Sequence, residues 1–388
     1  MKIVHLGMQR LIAHFDLDAF FVSVECLLDP SLKGIPLAVG GDSDRSVVAA
    51  CSYEARKFGI HSAMPMRTAI KLCPQLKIVP GTRAAYSKYS RIVTEMIAGA
   101  APVFEKASID EFYVDLTGME RYFKPMEWTL KLRQDIISKT GLPISFGMGT
   151  SKMIAKIATD AAKPNGYLFV PPGGENDFLD PMPVAKIPGV GDQTNRDLLQ
   201  LGIETIRDLR MSKPELLSRF LGKWGGALWQ KANGSHDAAV SPYQEAKSIS
   251  TENTFDQDID DPAFLLEELV RMTEKVAFEL RQENKMAGCV ALKIRYPPFE
   301  TTSKQTTISY TCYDDEILSQ AKLLFRQLYR KGQPVRLIGV RLSELTAEAS
   351  QTNLFQDHGR KSDLYKAIDE VKNKFGKDAI NKAGGLKK

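Results

Sequence analysis

The sequence predicts an α+β protein built from more than one domain. Residues 11–175 alternate strand-like apolar runs with helical runs, which favours a sheet with helices on one face. Residues 176–240 are helical and broken by glycines, and residues 249–345 return to alternating strands and helices. A length of 388 residues allows two to four domains, at roughly 150 residues each.

In the first half of the chain, apolar runs and turn residues place the elements. The run from residue 11 predicts a strand that leads into a helix ending near residue 25. The helix predicted at 53–58 ends at Gly59. The further predicted elements are strands at 36–40 and 46–51, a helix at 53–58, a long helix from 84, a hairpin around Asp110, a helix at 126–140, a strand at 143–149 and a helix at 151–162.

In the second half, residues 241–248 read as a linker before a second α/β unit. Two predicted helices, about 262–284 and 314–331, lie between strands that include 290–296 and 335–342. The order strand–helix–strand–strand–helix–strand would form a compact unit. Beyond it, Leu364, Ile368, Val371 and Phe375 line one helical face, which predicts a short basic amphipathic helix.

Composition narrows the class of protein. No apolar run approaches the ~20 residues of a membrane-spanning helix, and the N-terminus lacks a signal-peptide core. The five cysteines are scattered without a C-x-x-C pair, which favours a cytoplasmic protein with no disulfide framework or zinc site. A net charge of +5 is too small to indicate a nucleic-acid partner by itself.

Two acidic clusters, at 14–21 and 108–115, carry the strongest chemical signal. Each sets carboxylates inside a strand-like apolar run, where an unpaired charge is costly. Strand alternation places Asp16 and Asp18 on one face. Oxygen ligands suit Mg²⁺ or Mn²⁺, and two such ions can drive phosphoryl transfer. Either cluster alone could instead be a polar strand end.

Three residues are candidates for a triphosphate site. Tyr53 and Arg56 lie three apart on one helix face, and Lys163 stands at a helix end defined by Pro164 and the turn at 165–166. Each of them alone could be a surface residue. In Phe20-Phe21, one ring could stand under a nucleotide sugar, although core packing is the default interpretation.

Two further patterns are typical of DNA binding. The run I-P-G-V-G at 187–191 resembles a helix-hairpin-helix turn, in which Gly189 and Gly191 let backbone N–H groups approach a phosphate. Its alternative is a plain glycine turn. Arg336 and Arg341, with Lys293, Arg295 and Lys304, would give the C-terminal unit a basic sheet face, unless that face is merely solvated.

Taken together, these motifs resemble the Y family of DNA polymerases, most of all its bacterial members. The resemblance covers residues 11 to about 355 and rests on motifs that occur in the family's order. They are D-L-D-A-F-F, S-Y-E-A-R-K-F-G, S-I-D-E-F-Y-V-D-L, A-K-P-N-G, I-P-G-V-G and V-R-L-I-G-V.

The resemblance implies a right-hand polymerase that copies DNA across damaged bases without proofreading. It implies a palm at 1–25 and 84–175, small fingers at 26–83 and a helical thumb at 176–240. A linker at 241–248, a little finger at 249–345 and a clamp-binding peptide with a basic tail at 346–388 would follow. The expected partners are primer–template DNA, a dNTP and the replicative sliding clamp. A monomer is the expected state.

By position, the family's roles fall on particular residues. Asp16, Asp110, Glu111 and the Leu17 carbonyl would hold two Mg²⁺ ions, with Mn²⁺ as a substitute. Tyr53, Arg56 and Lys163 would bind the triphosphate, and Phe21 would be the steric gate against ribonucleotides. The short peptide Gln351, Leu354 and Phe355 would bind the sliding clamp.

Two departures and two rival interpretations accompany this assignment. Ala50 stands where many relatives carry a threonine that touches the triphosphate, and the tail extends beyond the clamp peptide. A non-catalytic DNA-binding scaffold of the same fold is the first rival, against which the acidic set and Lys163 argue. A nucleotidyl cyclase-like enzyme is the second, against which the thumb and the clamp peptide argue.

Overall fold

The structure is a computed structural model that describes residues 10–234, 238–242, 245–347 and 358–382. It divides into two compact units, 1–244 and 245–388, and their boundary lies inside the predicted linker. No helix within these ranges is long and apolar enough to cross a bilayer.

The first unit contains eight strands and eleven α-helices within the described ranges. They are β1 (Ile12–Leu17), α1 (Phe20–Leu28), β2 (Leu37–Val39), β3 (Ala50–Cys51), α2 (Tyr53–Arg56), α3 (Met66–Leu72), β4 (Lys77–Val79), α4 (Arg83–Ala100), β5 (Val103–Lys106), β6 (Glu111–Asp115), α5 (Pro125–Thr140), β7 (Ile144–Gly149), α6 (Lys152–Ala162), β8 (Tyr167–Phe169), α7 (Glu175–Leu179), α8 (Asp192–Gln200), α9 (Ile206–Met211), α10 (Pro214–Leu221) and α11 (Lys223–Ala232). The strand predicted at 46–51 is reduced to two residues, and α3, β4 and β8 were not predicted.

The main sheet of this unit has the strand order β5-β6-β1-β7-β8. Strand β1 is central and runs antiparallel to both β6 and β7. Strands β5 and β6 also pair antiparallel, which confirms the predicted hairpin around Asp110. The register sets Asp16 opposite Glu111 on one side and opposite Ser145 on the other. Residues from both acidic clusters therefore meet at one end of the sheet.

Helices cover both faces of this sheet, so the prediction of helices on one face is wrong. Phe15 and Leu17 pack in a core with Val93 of α4 and Ile136 of α5. On the other face, α6 packs directly against Gly147, where a Cβ would lie 2.3 Å from the Ala155 carbonyl oxygen. This close approach places α6 over the face of β1 that carries the first acidic cluster.

The two remaining parts of the first unit have separate cores. Strands β2, β3 and β4 form a three-stranded sheet in the order β3-β2-β4, packed by α2 and α3. Helices α7 to α11 share a core whose buried members include Leu198, Leu209, Leu217 and Leu228. This core confirms the prediction of a helical region broken by glycines.

The second unit has four strands and three helices among its described residues. They are β9 (Ser248–Ile259), α12 (Pro262–Gln282), β10 (Met286–Tyr296), β11 (Glu300–Thr311), α13 (Asp314–Leu328), β12 (Val335–Thr346) and α14 (His358–Phe375). The strands form an antiparallel sheet in the order β11-β10-β12-β9, and the predicted order of elements is confirmed. The core lies between this sheet and the helices α12 and α13.

Helix α14 confirms the predicted C-terminal helix but packs through a different face. Leu364 and Phe375 are 58% and 68% exposed, whereas Tyr365 and Asp369 are buried. The buried face is polar because the surface beneath it is charged: Asp369 pairs with Arg281 of α12, and Tyr365 stacks on Tyr313 at the start of α13. The tail helix is therefore part of the second unit.

Candidate active site

The three predicted metal-binding carboxylates lie together at one end of the main sheet. Asp16 and Glu111 are direct cross-strand neighbours. Asp110 precedes β6, and its carbonyl oxygen accepts a 3.1 Å hydrogen bond from the Leu17 backbone N–H. The Ser108 hydroxyl donates to the Asp110 carboxylate at 2.5 Å. The hairpin therefore brings together residues that the sequence places far apart.

Two lysines of α6 neutralise these carboxylates. Lys163 lies 2.6 Å from the Asp16 carboxylate, and Lys156 lies 2.5 Å from that of Glu111. The His14 ring packs beneath, with Nε2 3.8 Å from Glu111 and Nδ1 2.9 Å from the Thr159 hydroxyl. Sequence reasoning missed Lys156 and His14. The sequence did contain two signals for them. Lys156 and Lys163 are seven residues apart, which places them on one helix face, and His14 is two residues from Asp16, which places both on one face of the strand.

Burial and charge shift these groups in opposite directions. Burial raises the pKa of Asp16 to about 7, against the opposing effect of Lys163, and the neighbouring acids add to the rise. The nearby His14 ring, 3.8 Å away, and the Lys156 ammonium lower the pKa of Glu111. Burial lowers the pKa of His14 itself. Negative charge is therefore crowded around Asp16.

The residues of this site fit a hard divalent cation. All three acids offer oxygen, the donor that Mg²⁺ and Mn²⁺ prefer. Within the described ranges no group of three acidic, histidine or cysteine side chains encloses a metal by itself, and the lysine ammonium groups lie on the carboxylates instead. A cation would favour the ionised form of Asp16, whose pKa is raised by burial first and by the neighbouring acids second.

Asp18 has different partners from Asp16. Its carboxylate accepts hydrogen bonds from the Ser145 hydroxyl at 2.9 Å and from the Asn165 backbone N–H at 2.8 Å. Ser145 is the residue opposite Asp16, so the two carboxylates approach the same part of the sheet, as alternation predicted. Sequence reasoning did not separate their environments.

The three candidate triphosphate ligands surround these acids. Lys163 ends α6 beside Asp16, and the Tyr53 hydroxyl lies 3.4 Å from Asp18. The exposed Arg56 guanidinium stacks on the Tyr53 ring at 4.5 Å. A cationic rim thus adjoins the carboxylates, as a nucleotide triphosphate site requires.

Phe21 lies in the first turn of α1, after Ala19 in the left-handed conformation. Its half-buried ring stacks on Tyr86, with centroids 4.3 Å apart and planes inclined by 13°. The Tyr86 hydroxyl donates in turn to Glu25. Tyr86 of α4 therefore holds the Phe21 ring in place, and the sequence analysis did not identify Tyr86.

The glycine turn before α8 is shaped partly by packing. Gly189 has φ +97°, and a Cβ there would lie 3.0 Å from the Trp224 ring. The Lys231 ammonium donates to the Pro188 carbonyl at 2.9 Å. Gly191, by contrast, begins α8 with open space around it and no side-chain cap. Of the two glycines, Gly191 has the room for a phosphate.

The predicted basic face of the second unit divides between the two sides of the sheet. Lys293, Arg295 and Arg341 share the open face. Arg336 lies where the pairing of β12 shifts register between Val335 and Leu337, and its guanidinium stacks at 4.5 Å on Phe299, the ring that Arg295 also approaches. Lys304, opposite the buried Leu292, faces away from Lys293, Arg295 and Arg341. The predicted clamp residues Gln351, Leu354 and Phe355 lie outside the described residues.

Comparison with known proteins matches both units. Residues 15–160 match the impB/mucB/samB family, and residues 246–354 match the C-terminal domain of that family. A DNA polymerase IV of Desulfatibacillum aliphaticivorans is 38% identical over 386 residues, covering 97% of this chain and 96% of the relative. A DNA polymerase IV of Listeria innocua is 39% identical over 339 residues, covering 87% and 95%.

Two solved structures have the same architecture. A Y-family DNA polymerase chimera, Dbh-Dpo4(243-245)-Dbh, superposes with a TM-score of 0.78 at 28% identity, covering 87% of this chain and 100% of that chain. DinB from Sulfolobus solfataricus superposes with a TM-score of 0.60 at 28% identity, covering 86% and 98%.

Proposed function

The chain belongs to the Y family of DNA polymerases, and we propose that it extends a DNA primer by two-metal nucleotidyl transfer with low fidelity and without proofreading. It is a DNA-directed DNA polymerase of the translesion type. One observation supports the chemistry above all: Asp16, Asp110 and Glu111 meet beside a lysine that ends α6. A scaffold that only binds DNA has no need of this arrangement.

The acids and lysines divide the work of the reaction. Asp16, Asp110, Glu111 and the Leu17 carbonyl would hold two Mg²⁺ ions, for which Mn²⁺ can substitute. Bound there, the ions would lower the pKa of the primer 3′-hydroxyl and neutralise the charge of the triphosphate. Lys163 exchanges its Asp16 partner for a phosphate oxygen, and Lys156 keeps Glu111 ionised.

Other residues hold the substrates. Arg56 and Tyr53 bind the triphosphate, Arg56 by forked contacts. Gly189 and Gly191 present backbone N–H groups to a DNA phosphate, and Arg336 and Arg341 contact DNA. We assign the palm, fingers, thumb and little finger to the ranges expected from sequence. We also propose that the protein acts in the cytoplasm as a monomer.

Primer extension tests the proposed function. A 5′-labelled primer on a DNA template of known sequence is incubated with the full chain, Mg²⁺ and each dNTP in turn. We expect the fastest extension with the nucleotide complementary to the template, slower extension with the other nucleotides because fidelity is low, and none in the presence of EDTA. DNA binding without any extension would instead favour the scaffold. Where extension occurs, templates with damaged bases test lesion bypass.

Phe21→Ala is expected to admit ribonucleotides. The ring is held in place by Tyr86, and its removal opens space where a 2′-hydroxyl would otherwise collide. We expect the ratio of kcat/KM for dNTP to that for rNTP to fall by about a hundredfold, the order that a steric clash of a few kcal/mol provides. Single-nucleotide incorporation measures it, with Phe20→Leu as the neighbouring control. Unchanged selectivity would refute the gate.

Leu354→Ala with Phe355→Ala tests the clamp peptide in the full chain. Truncation is unsuitable, because α14 packs on α12 and its loss would disturb the second unit. Loss of two apolar anchors is expected to reduce clamp stimulation of primer extension by at least about tenfold. Thr352→Ala, in the same segment, is the matched control and should retain stimulation. Equal stimulation of all three proteins would place the clamp contact elsewhere.

A further inference from the structure

We propose that Asp18 is a positioning residue for the incoming nucleotide, joining Tyr53 and the turn after Lys163 to one buried carboxylate. This inference rests on the proposed function, because it assigns to Asp18 the placement of two triphosphate ligands. Asp18 is 1% exposed, against 4% for Asp16. Although it stands in the same acidic cluster, its contacts separate it from the metal-binding set.

Both oxygens of Asp18 already have hydrogen-bond donors. Oδ1 accepts from the Ser145 hydroxyl at 3.0 Å and faces the Tyr53 hydroxyl at 3.4 Å. Oδ2 accepts from the Asn165 N–H at 2.8 Å and lies 2.9 Å from the Ser145 hydroxyl. Across the part of the chain that the structure describes, Asp18 forms no ion pair, so neutral donors alone stabilise its charge. These donors come from three different elements.

The turn after Lys163 depends on this carboxylate. Asn165 has φ +52°. Its backbone N–H donates to the Asp18 carboxylate, and the next N–H, of Gly166, donates to the Ser145 hydroxyl. Successive N–H groups in such a turn form a concave site for an anion, which Asp18 fills from within the protein. Arg133 holds the other side of the turn through the Asn165 carbonyl and side chain.

The position of Lys163 follows from that of the turn. A Cβ at Gly166 would lie 2.1 Å from the Ala162 carbonyl oxygen, so the chain doubles back tightly against the end of α6. The ammonium of Lys163 is thereby aimed at Asp16 at 2.6 Å. The same carboxylate orients the hydroxyl of Tyr53, which begins α2. A single group thus sets the spacing of two triphosphate ligands.

Asp18→Asn tests this role with little change in volume. The amide offers one acceptor oxygen where the carboxylate offers two, so the Asn165 N–H and the two hydroxyls can no longer all be satisfied and the charge that holds them is lost. We expect KM for dNTP to rise between about tenfold and a hundredfold, the effect of a misplaced ligand, with kcat at saturating dNTP changed less than threefold. Binding of dNTP to the complex with a 3′-dideoxy primer should weaken by the same factor, without any chemistry.

Three comparisons make the result decisive. Asp115→Asn, which alters another carboxylate of the same sheet that is bonded to a backbone N–H, should leave KM unchanged. Ser145→Ala, which removes one donor, should raise KM in the same manner but less. In a Lys163→Ala background, Asp18→Asn should add less than it does alone, because the two residues act through the same contact.

Other outcomes would overturn the proposal. A fall in kcat at unchanged KM, or a rise in the Mg²⁺ concentration for half-maximal rate like that of Asp16→Asn, would make Asp18 part of the metal site. Full additivity with Lys163→Ala would separate the two residues. If Asp18→Asn fails to fold, the milder Ser145→Ala decides by the same readouts. Absence of extension by the unaltered chain would refute the polymerase assignment, not this inference.

Discussion

Replacing Glu111 by glutamine is expected to lower the rate of templated extension by about a thousandfold, while affinity for primer–template DNA is retained. The substitution keeps the shape of the side chain and removes its charge. The His14 ring, 3.8 Å away, and the ammonium of Lys156 favour the ionised form of Glu111, so a neutral amide removes a charge that the site stabilises. Losing one such preorganised charge typically accounts for a factor of this size. Asp110→Asn should behave alike.

Single-turnover extension under saturating DNA and dNTP measures this effect, with DNA binding measured separately by fluorescence anisotropy. Glu127→Gln is the matched control, because that carboxylate is exposed on α5 and pairs only with Lys124. It should leave both quantities unchanged. Near-normal extension by the Glu111 or Asp110 variant would refute the metal assignment. Loss of DNA binding would show that the variant acts on folding instead.

The acidic clusters were predictable because strand alternation and the cost of buried charge act over a few residues. Asp16 inside an apolar run is informative without any knowledge of the fold. Its pairing with Glu111 is a matter of register between distant strands, which local pattern does not specify. The lysine partners follow from how α6 crosses the sheet, and that crossing depends on the close approach at Gly147.

Where predictions failed, long-range packing overrode the local pattern. The strand predicted at 46–51 is reduced to Ala50–Cys51, and Lys304 lies on the side of its sheet away from Lys293 and Arg295. In the tail, the apolar stripe predicted a helix, but Leu364 and Phe375 are exposed, since the surface beneath α14 presents Arg281 and acidic residues. A helix that meets a charged surface buries its polar side.

Arg281→Met is expected to lower the free energy of unfolding of the second unit by about 3–5 kcal/mol. The Arg281 side chain is 9% exposed and joins Asp314 of α13 to Asp369 of α14 at 2.7 Å each. It also donates to the Cys312 carbonyl at 2.8 Å. Methionine keeps much of the volume but removes the guanidinium from two largely buried carboxylates, of which Asp314 keeps a more distant partner in Lys382 at 3.8 Å, and breaking a buried pair in this way is strongly destabilising.

Urea unfolding of the full chain can isolate this effect, because all three tryptophans (Trp128, Trp224 and Trp229) lie in the first unit. Tryptophan emission therefore follows the first unit, and far-UV circular dichroism follows both. We expect Arg281→Met to shift the dichroism transition and to leave the emission transition in place. Arg326→Met, an exposed arginine of α13, is the control. Equal dichroism curves for the two variants would contradict a structural role for the cluster.

Asp369→Asn separates the helix contact from the rest of the cluster. It removes the charge that α14 contributes, while Arg281 keeps Asp314 and the Cys312 carbonyl. Its effect should therefore be smaller, about 1–3 kcal/mol, the usual range for a hydrogen bond to a charged group. The expected order of the two destabilisations follows from which group loses its partner. Arg281→Met takes the guanidinium away from two carboxylates, whereas Asp369→Asn leaves Arg281 paired with a second carboxylate. The reverse ordering would mean that α14 is held mainly by Asp369 itself.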